Sequence, residues 1–181
     1  IKDAVGLSNG EFGFVFLGST VGAVLGAQIA GRTIHTFGSR PVINISSFLL
    51  PAGLVAMAYS TTAAELFFAL MLMGFGYALT DMSVNTQAVV VEKILDQKWM
   101  SSFHGMWSLA GFTGALVGLG MLAFKLTPYQ HFLIVAIIVL LIMAINFKFL
   151  IKAEEKLKTE KKKGFSKPDA ELIWLGVIGF C

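Results

Sequence analysis

Apolar segments of membrane-spanning length follow one another along almost the whole sequence, and they constrain the fold more than any other feature. Five complete segments can be marked, and a sixth begins near Glu171; the five cover about 11–34, 42–59, 65–91, 102–124 and 129–151. About 20 predominantly apolar residues cross the hydrocarbon core of a bilayer as a helix. Strand-type alternation is absent, and in lipid a helix satisfies its own backbone groups. We therefore expect an all-α, polytopic transmembrane helical bundle.

Composition and residue types exclude several other classes of protein. Hydrophobic residues make up 56% of the chain and charged residues 14%, which is outside the range of ordinary soluble domains. The basic residues lie in short segments between apolar spans, so we expect the lipid bilayer and not a nucleic acid as partner. Cys181 is the sole cysteine, and the three histidines share no ligand spacing. We expect no metal, no cofactor and no enzymatic activity.

The distribution of positive charge predicts how the chain is oriented in the membrane. Of the 14 lysines and arginines, all but Lys2 and Lys125 fall on one side of the predicted spans. Cytoplasmic connections carry such an excess of positive charge. We therefore expect the connections at 35–41, 93–101 and 152–168 to be cytoplasmic and the first ten residues to lie outside.

A basic segment, "KAEEKLKTEKKKGFSK", interrupts the apolar pattern at 152–167. It predicts three regions, which are a transmembrane half at 1–152, a basic cytoplasmic connector at 153–168 and the start of a second transmembrane half at 169–181. A solvated connector and a strip that touches anionic lipid are both compatible with this composition. The chain opens on Ile1 without an initiator methionine, and we expect it to be an internal piece of a longer protein.

Small residues recur every four positions within two of the spans. Such stripes let another helix approach closely, and we expect tight helix packing at both. The stripes consist of Gly18, Gly22, Gly26 and Ala30 in the first span and of Ala110, Gly114 and Gly118 in the fourth.

The turn after the first span reads "GRTIHTFGSRP" and predicts a tight cytoplasmic hairpin. In this position it resembles the loop signature of the major facilitator superfamily, which lies between that family's second and third helices. The acidic residue of the signature is replaced by His35, and the basic residue that follows it by Thr36. The resemblance implies a gating loop with Gly31, Arg32, Gly38 and Arg40.

The same resemblance implies the architecture of the chain. The five spans would be helices two to six of the N-terminal half, which would lack its first helix, and the segment from Glu171 would open helix seven. The basic segment falls where the family has a long connector between its two halves. A resemblance to bacterial inner-membrane proteins of this family also implies that membrane as the location.

Asp81 is the only charged residue between Glu65 and Glu92, in the stretch "GYALTDMSVNTQ". It lies roughly 24 Å along a helix axis from Glu65 and roughly 18 Å from Lys93, near the middle of the membrane. An unpaired carboxylate there costs about 3 kcal/mol on insertion scales. The side chain must therefore be protonated or face a polar cavity. A coupling or binding role and a hydrogen bond for packing both explain it.

Asn85 follows Asp81 by four residues and shares its helix face. The stretch "GFGYALTDMSVNTQ" resembles the fourth helix of the fucose permease-like branch of the superfamily, in which an acidic residue precedes an asparagine by four positions. The resemblance implies that Asp81 couples transport to protons and that Asn85 binds substrate.

Other polar residues are weaker candidates for substrate binding. Trp107 and Ser108 lie in a span that we expect to face the cavity, and an indole ring can stack on a sugar; the alternative for Trp107 is an interface anchor. Gln28 either packs between helices or faces the cavity. His104 is expected at the membrane interface, with a proton relay as the alternative.

These features predict a secondary active transporter, a proton symporter of a small polar solute such as a sugar that works by alternating access. The partners are then a small-molecule substrate and protons. A uniporter or antiporter in which Asp81 binds a cationic substrate is one alternative. A non-transporting receptor or scaffold is the other.

Overall fold

The computed structural model describes residues 1–151, and helices account for nearly all of that range. A short α1 (Lys2–Val5) precedes five long helices and a final 3-10 turn; these are α2 (Asn9–Phe37), α3 (Ser39–Tyr59), α4 (Ala63–Leu95), α5 (Met100–Ala123), α6 (Pro128–Asn146) and the turn Phe147–Phe149. The five long helices are each long and apolar enough to cross a membrane. The predicted all-α membrane bundle is confirmed. The predicted connector and sixth span lie outside the described residues.

Three long helices begin with the same local sequence device, a Ser or Thr followed three residues later by Glu or Gln. The hydroxyl accepts the backbone N–H of the acidic or amide residue, whose side chain in turn accepts the N–H of the cap residue. The pairs are Ser8 with Glu11, Thr62 with Glu65 and Thr127 with Gln130. All three helices start at the end of the bundle opposite to the α2–α3 and α4–α5 connections.

The α2–α3 connection is shorter than the sequence predicted. Helix α2 continues through His35 to Phe37, so Gly38, with a φ of 83°, is the single residue between two helices. Gly31 and Arg32 lie in α2, and Arg40 lies in the first turn of α3. The predicted loop at 35–41 is thus wrong in its bounds. Backbone groups at the edge of a membrane are satisfied best by continuing the helix, and one glycine of positive φ suffices for the reversal.

Helix α4 lies at the centre of the described bundle, between α2 and α3. Glycines on α2 bring the two backbones into contact: a Cβ atom built on Gly22 would collide with the carbonyl oxygen of Met71, and one on Gly26 would lie 2.6 Å from that of Phe75. On the other side of α4, the hydroxyls of Ser46 and Thr80 are 2.8 Å apart. The first small-residue stripe therefore packs as predicted.

Helix α6 packs against α3 and is tied to it at both ends. At one end the Tyr59 hydroxyl donates to the Tyr129 hydroxyl over 2.8 Å, and the two rings meet edge to face. At the other end, which we call the basic end, Arg40 lies over the Phe147 ring, 5.2 Å from its centroid, and its Nη2 is 3.5 Å from the Phe147 carbonyl oxygen. The basic end is defined by the α2–α3 and α4–α5 connections and by Ile151.

Helix α5 is the least covered of the five, since none of its residues is buried by the described part of the chain. Its predicted stripe has few neighbours there: Gly114 has no atom near its missing side chain, and Gly118 meets only the His131 ring, at 3.9 Å. The equal spacing of the two stripes therefore corresponds to different environments. Contact of α5 with the bundle is chiefly with α4.

Glu92, in the last turn of α4, holds the start of α5. Its Oε1 accepts the backbone N–H groups of Trp99 and Met100 over 2.6 and 2.7 Å, which caps a helix whose own N-cap residue makes no side-chain bond. Replacing Glu92 with alanine is expected to cost about 1 kcal/mol of local stability, as losing an N-cap does. Hydrogen exchange of the amides at 99–103 should then accelerate about fivefold. Unchanged exchange would show that the carboxylate does not hold the helix, and Glu92→Gln, which keeps an acceptor oxygen, is the matched control.

Candidate functional site

A cavity of about 630 Å³ lies between α4, the first half of α5 and the chain that leaves α6. Helix α4 provides one wall, with Tyr77, Asp81 and Asn85 on it. Positions four apart lie on one face of a helix, so the spacing of these three residues places them in one row. The row contains Asp81 and Asn85, which the sequence predicted to share a helix face, and Tyr77 one turn earlier.

Asp81 is exposed to this cavity and is hydrogen-bonded within its own helix. The Asn85 side-chain nitrogen donates to Asp81 Oδ2 over 3.3 Å. The amide therefore orients the carboxylate in the cavity wall. The Asp81 side chain therefore faces the cavity, and its described hydrogen bond is to its own helix and not to a neighbouring one.

Helix α5 faces the row across the cavity with three larger side chains, Phe103, His104 and Trp107. Trp107 is 63% exposed, so most of its ring surface is open to a neighbour that the described chain does not supply. Ser108, the next residue along the helix, does not line the cavity, and its hydroxyl donates to the His104 carbonyl oxygen over 3.2 Å. Successive residues point about 100° apart on a helix, which separates these two candidates.

The remaining predicted binding residue, Gln28, lies away from this site. It is exposed on α2 and does not line the cavity. The face of α2 that packs on α4 carries Gly22, Gly26 and Ala30, and Gln28 points in a different direction from that face. No residue of α2 lines the cavity, so the described structure does not bring Gln28 into the site of Asp81. The gating residues Gly31 and Arg32 are likewise remote from it.

The third wall comes from the chain at and after the end of α6, which the sequence did not indicate. Asn146, Phe149 and Ile151 line the cavity there. Gln87 of α4 fastens this segment: its Nε2 donates to the Ile151 carbonyl oxygen over 3.2 Å, and its Oε1 accepts the Ile151 N–H over 3.0 Å. Gln87 also donates to the buried Ser39 hydroxyl over 2.8 Å. One amide thus joins α4, α3 and the exit of α6 beneath the cavity.

The chemistry of the wall limits what the cavity can hold. Of the described residues that line it, none is lysine or arginine, whereas four are aromatic: Tyr77, Phe103, Trp107 and Phe149. A single carboxylate, neutral amides and aromatic faces suit a neutral polar solute or a cation, and they disfavour an anion. Within residues 1–151, no three His, Cys, Asp or Glu side chains lie close enough together to hold a metal ion.

A second, more open cavity of about 510 Å³ adjoins the first on the α4–α5 side. It is lined by Met82, Thr86 and Met100 among others, and it shares Asn85 and His104 with the larger cavity. His104 was expected at the membrane interface. The structure places it in the wall of Asp81's cavity, three residues before Trp107 on α5, and its depth in the membrane stays a prediction.

Five apolar helices, with a carboxylate in the wall of a cavity between α4, α5 and the exit of α6, define a polytopic helical membrane protein. Comparison with known families identifies the kind of membrane protein. The sequence profile described as Major Facilitator Superfamily matches residues 1–180. The chain belongs to that superfamily. The resemblance drawn from the loop signature and from the spacing of the spans is confirmed at this level, and the fucose permease-like branch stays a prediction.

Curated relatives come from bacteria. The chain is 29% identical over 150 residues to an uncharacterized MFS-type transporter of Yersinia pestis, a match that covers 82% of this chain and 39% of the relative. It is 31% identical over 131 residues to an uncharacterized transporter of Sinorhizobium fredii, covering 72% of this chain and 35% of the relative. Membrane protein MosC of Rhizobium meliloti is 29% identical over 119 residues, which are 66% of this chain and 28% of that protein.

The chain therefore spans well under half the length of these relatives. No solved structure matches it significantly.

Proposed function

We propose that this chain is part of a secondary active transporter that moves a small polar solute together with protons by alternating access. Membership of the superfamily supports transport as the general activity. The observation that carries the proton-coupled form is the Asp81 carboxylate, which stands in the wall of a cavity large enough for a small solute and accepts a hydrogen bond from Asn85.

The coupling follows from the cost of charge within a membrane. An ionised Asp81 is tolerated while its cavity is open to water, and it becomes costly when the cavity closes. Protonation removes that charge, so the solute-loaded carrier closes only when Asp81 carries a proton. Asn85 and the Trp107 ring lie beside the carboxylate and are the proposed contacts of the solute. A monosaccharide, with hydroxyls on its edge and an apolar ring face, suits such a pair.

A second function is favoured by one specific observation. The aromatic wall, with a single carboxylate and no lysine or arginine among its described residues, also suits a cationic solute, which Asp81 would bind directly. The protein would then be a uniporter or an antiporter, in which protons compete with the solute for the carboxylate. The proposed location is the bacterial inner membrane, with the basic end in the cytoplasm.

Uptake by the full-length protein in proteoliposomes tests these proposals. A panel of radiolabelled monosaccharides and a labelled quaternary ammonium ion would be supplied from an acidic outside medium. Accumulation of a sugar above its outside concentration, abolished by a protonophore, is the expected result. Equilibration without accumulation would indicate uniport, and inhibition of cation uptake by external acid would favour direct binding to Asp81. Absence of flux for every solute would contradict transport of these classes.

A further inference from the structure

His104 lies where the two cavities meet. It is the fifth residue of α5 and lines the larger cavity together with Asp81 and the smaller one together with Thr86. Among the described residues, only Asn85 and His104 belong to both walls. An amide and an imidazole therefore separate the carboxylate from a space that reaches Met100, the first residue of α5 at the basic end.

The side chains of Asp81, Asn85 and His104 have chemistry that suits proton movement. Asn85 donates to Asp81 Oδ2 over 3.3 Å, which orients the carboxylate. The backbone carbonyl of His104 accepts the Ser108 hydroxyl, while its imidazole makes no hydrogen bond to the described part of the chain. Both ring nitrogens thus remain available to water. Imidazole is the side chain that ordinarily takes and loses a proton in the neutral range.

The charged and titratable groups around His104 come from three places. Asp81 and Tyr77 face it from α4 across the cavity. Glu92 lies beneath the first turn of α5, where its carboxylate is held by two backbone N–H groups. Lys148 lies over the Phe149 ring, 5.1 Å from its centroid, at the exit of α6. Of these groups, Asp81 is the acid whose cavity His104 shares.

We propose that His104 is the proton acceptor of Asp81 and passes the proton toward the basic end. This inference rests on the proposed function and adds the route by which the carboxylate is reset. The O–H bond of the protonated Asp81 breaks, and an N–H bond forms on the neutral imidazole, with water in the cavity that both side chains line carrying the proton between them. The products are a carboxylate and an imidazolium, and the imidazolium then gives its proton to water on the cytoplasmic side.

A fluorescence titration tests the pairing without any solute. Trp107 follows His104 by three residues, so the indole and imidazole are neighbours on the helix, and an imidazolium quenches a neighbouring indole. In the full-length protein with Trp107 as its sole tryptophan, emission should fall as the pH is lowered. Asp81→Asn should move the midpoint of that transition by about half a pH unit or more, because two groups that exchange a proton titrate as a coupled pair.

The controls make this titration decisive. His104→Gln should abolish the transition, and His131→Gln, which removes a histidine near the far end of α5, should leave it unchanged. A midpoint that Asp81→Asn does not move would overturn the pairing. So would a transition that survives in His104→Gln.

Transport assays separate the relay from the proposed function itself. Using a radiolabelled monosaccharide that the wild type accumulates, His104→Gln should slow gradient-driven uptake at least about tenfold, within the range of a lost proton-transfer group. Equilibrium exchange at fixed pH needs no net proton release and should stay within about twofold. Loss of both activities together, or of neither, would overturn the relay. Absence of gradient-driven uptake in the wild type would instead contradict proton symport, and the fluorescence result would still decide whether the two residues are paired.

Discussion

Replacing Asp81 with asparagine is expected to abolish solute accumulation driven by a pH gradient while equilibrium exchange of the same solute continues. Asparagine has nearly the same size and can still accept the bond from Asn85, which is 3.3 Å from the carboxylate oxygen in the native chain. It carries no proton, however, so the closed loaded and closed empty carriers no longer differ in charge at this site. The internal concentration should then rise only to the external one.

The measurement is the ratio of accumulation to exchange in proteoliposomes of the full-length protein. Asp96→Asn is the matched control, because Asp96 lies in the α4–α5 connection with a φ of 50°, a conformation that asparagine also adopts, and does not line the cavity. It should leave both activities unchanged. Intact accumulation in Asp81→Asn would remove the coupling role. Loss of exchange as well as accumulation would show that the carboxylate binds the solute, as the cation alternative requires.

The second large effect is expected at the contact of α2 with α4, where Gly22→Ala should destabilise the protein severely. The added Cβ would occupy the position of the Met71 carbonyl oxygen and press on the backbone of Phe75. Neither group is the end of a flexible side chain, so the helices must separate. Overpacking of this kind costs about 1–3 kcal/mol or more, which exceeds the roughly 1 kcal/mol that alanine gains over glycine in a helix.

Thermal unfolding of the full-length protein in detergent, followed by loss of the monodisperse size-exclusion peak, would measure the effect. Gly13→Ala is the matched control on the same helix, since the space around Gly13 is open in the described structure. It should unfold at the wild-type temperature or slightly above it. Equal unfolding temperatures for the two variants would show that the α2–α4 contact does not depend on the missing side chain. Gly74→Ala, on α4 against the Ser19 carbonyl, should repeat the loss.

The spans themselves were predictable because lipid imposes one local rule on every residue of a crossing segment. The predicted third span at 65–91, for example, corresponds to the helix Ala63–Leu95, which extends a few residues further at both ends. Helix ends depend on caps, and the caps at Thr62 and Thr127 could have been read from the sequence as Thr-x-x-Glu and Thr-x-x-Gln. The end of α2 could not be read from the sequence, because His35 and Thr36 are compatible with either a turn or a helix.

The candidate site was predictable only along a single helix. Asp81 and Asn85 were paired from their spacing, and the structure shows their hydrogen bond. Partners on other helices depend on how each helix is rotated about its axis. The rotation of α5 about its axis places Trp107 in the cavity wall and Ser108 outside it. His104 and Asn146 also line the cavity. For His104 the sequence offered a position at the membrane interface, with a proton relay as the alternative, and did not place it in one cavity with Asp81.

The amino-acid sequence alone determines that this chain crosses the membrane as helices and that a carboxylate and an amide share one face near the middle of one of them. Those properties follow from hydrocarbon length, backbone hydrogen bonding and the 3.6-residue turn, which act within a segment. Only the tertiary structure decides which faces are covered. Two stripes of the same four-residue spacing illustrate this, since Gly22 meets the backbone of α4 whereas Gly114 meets no described neighbour. Burial and cavity shape arise between helices, because they depend on packing partners that no single segment specifies.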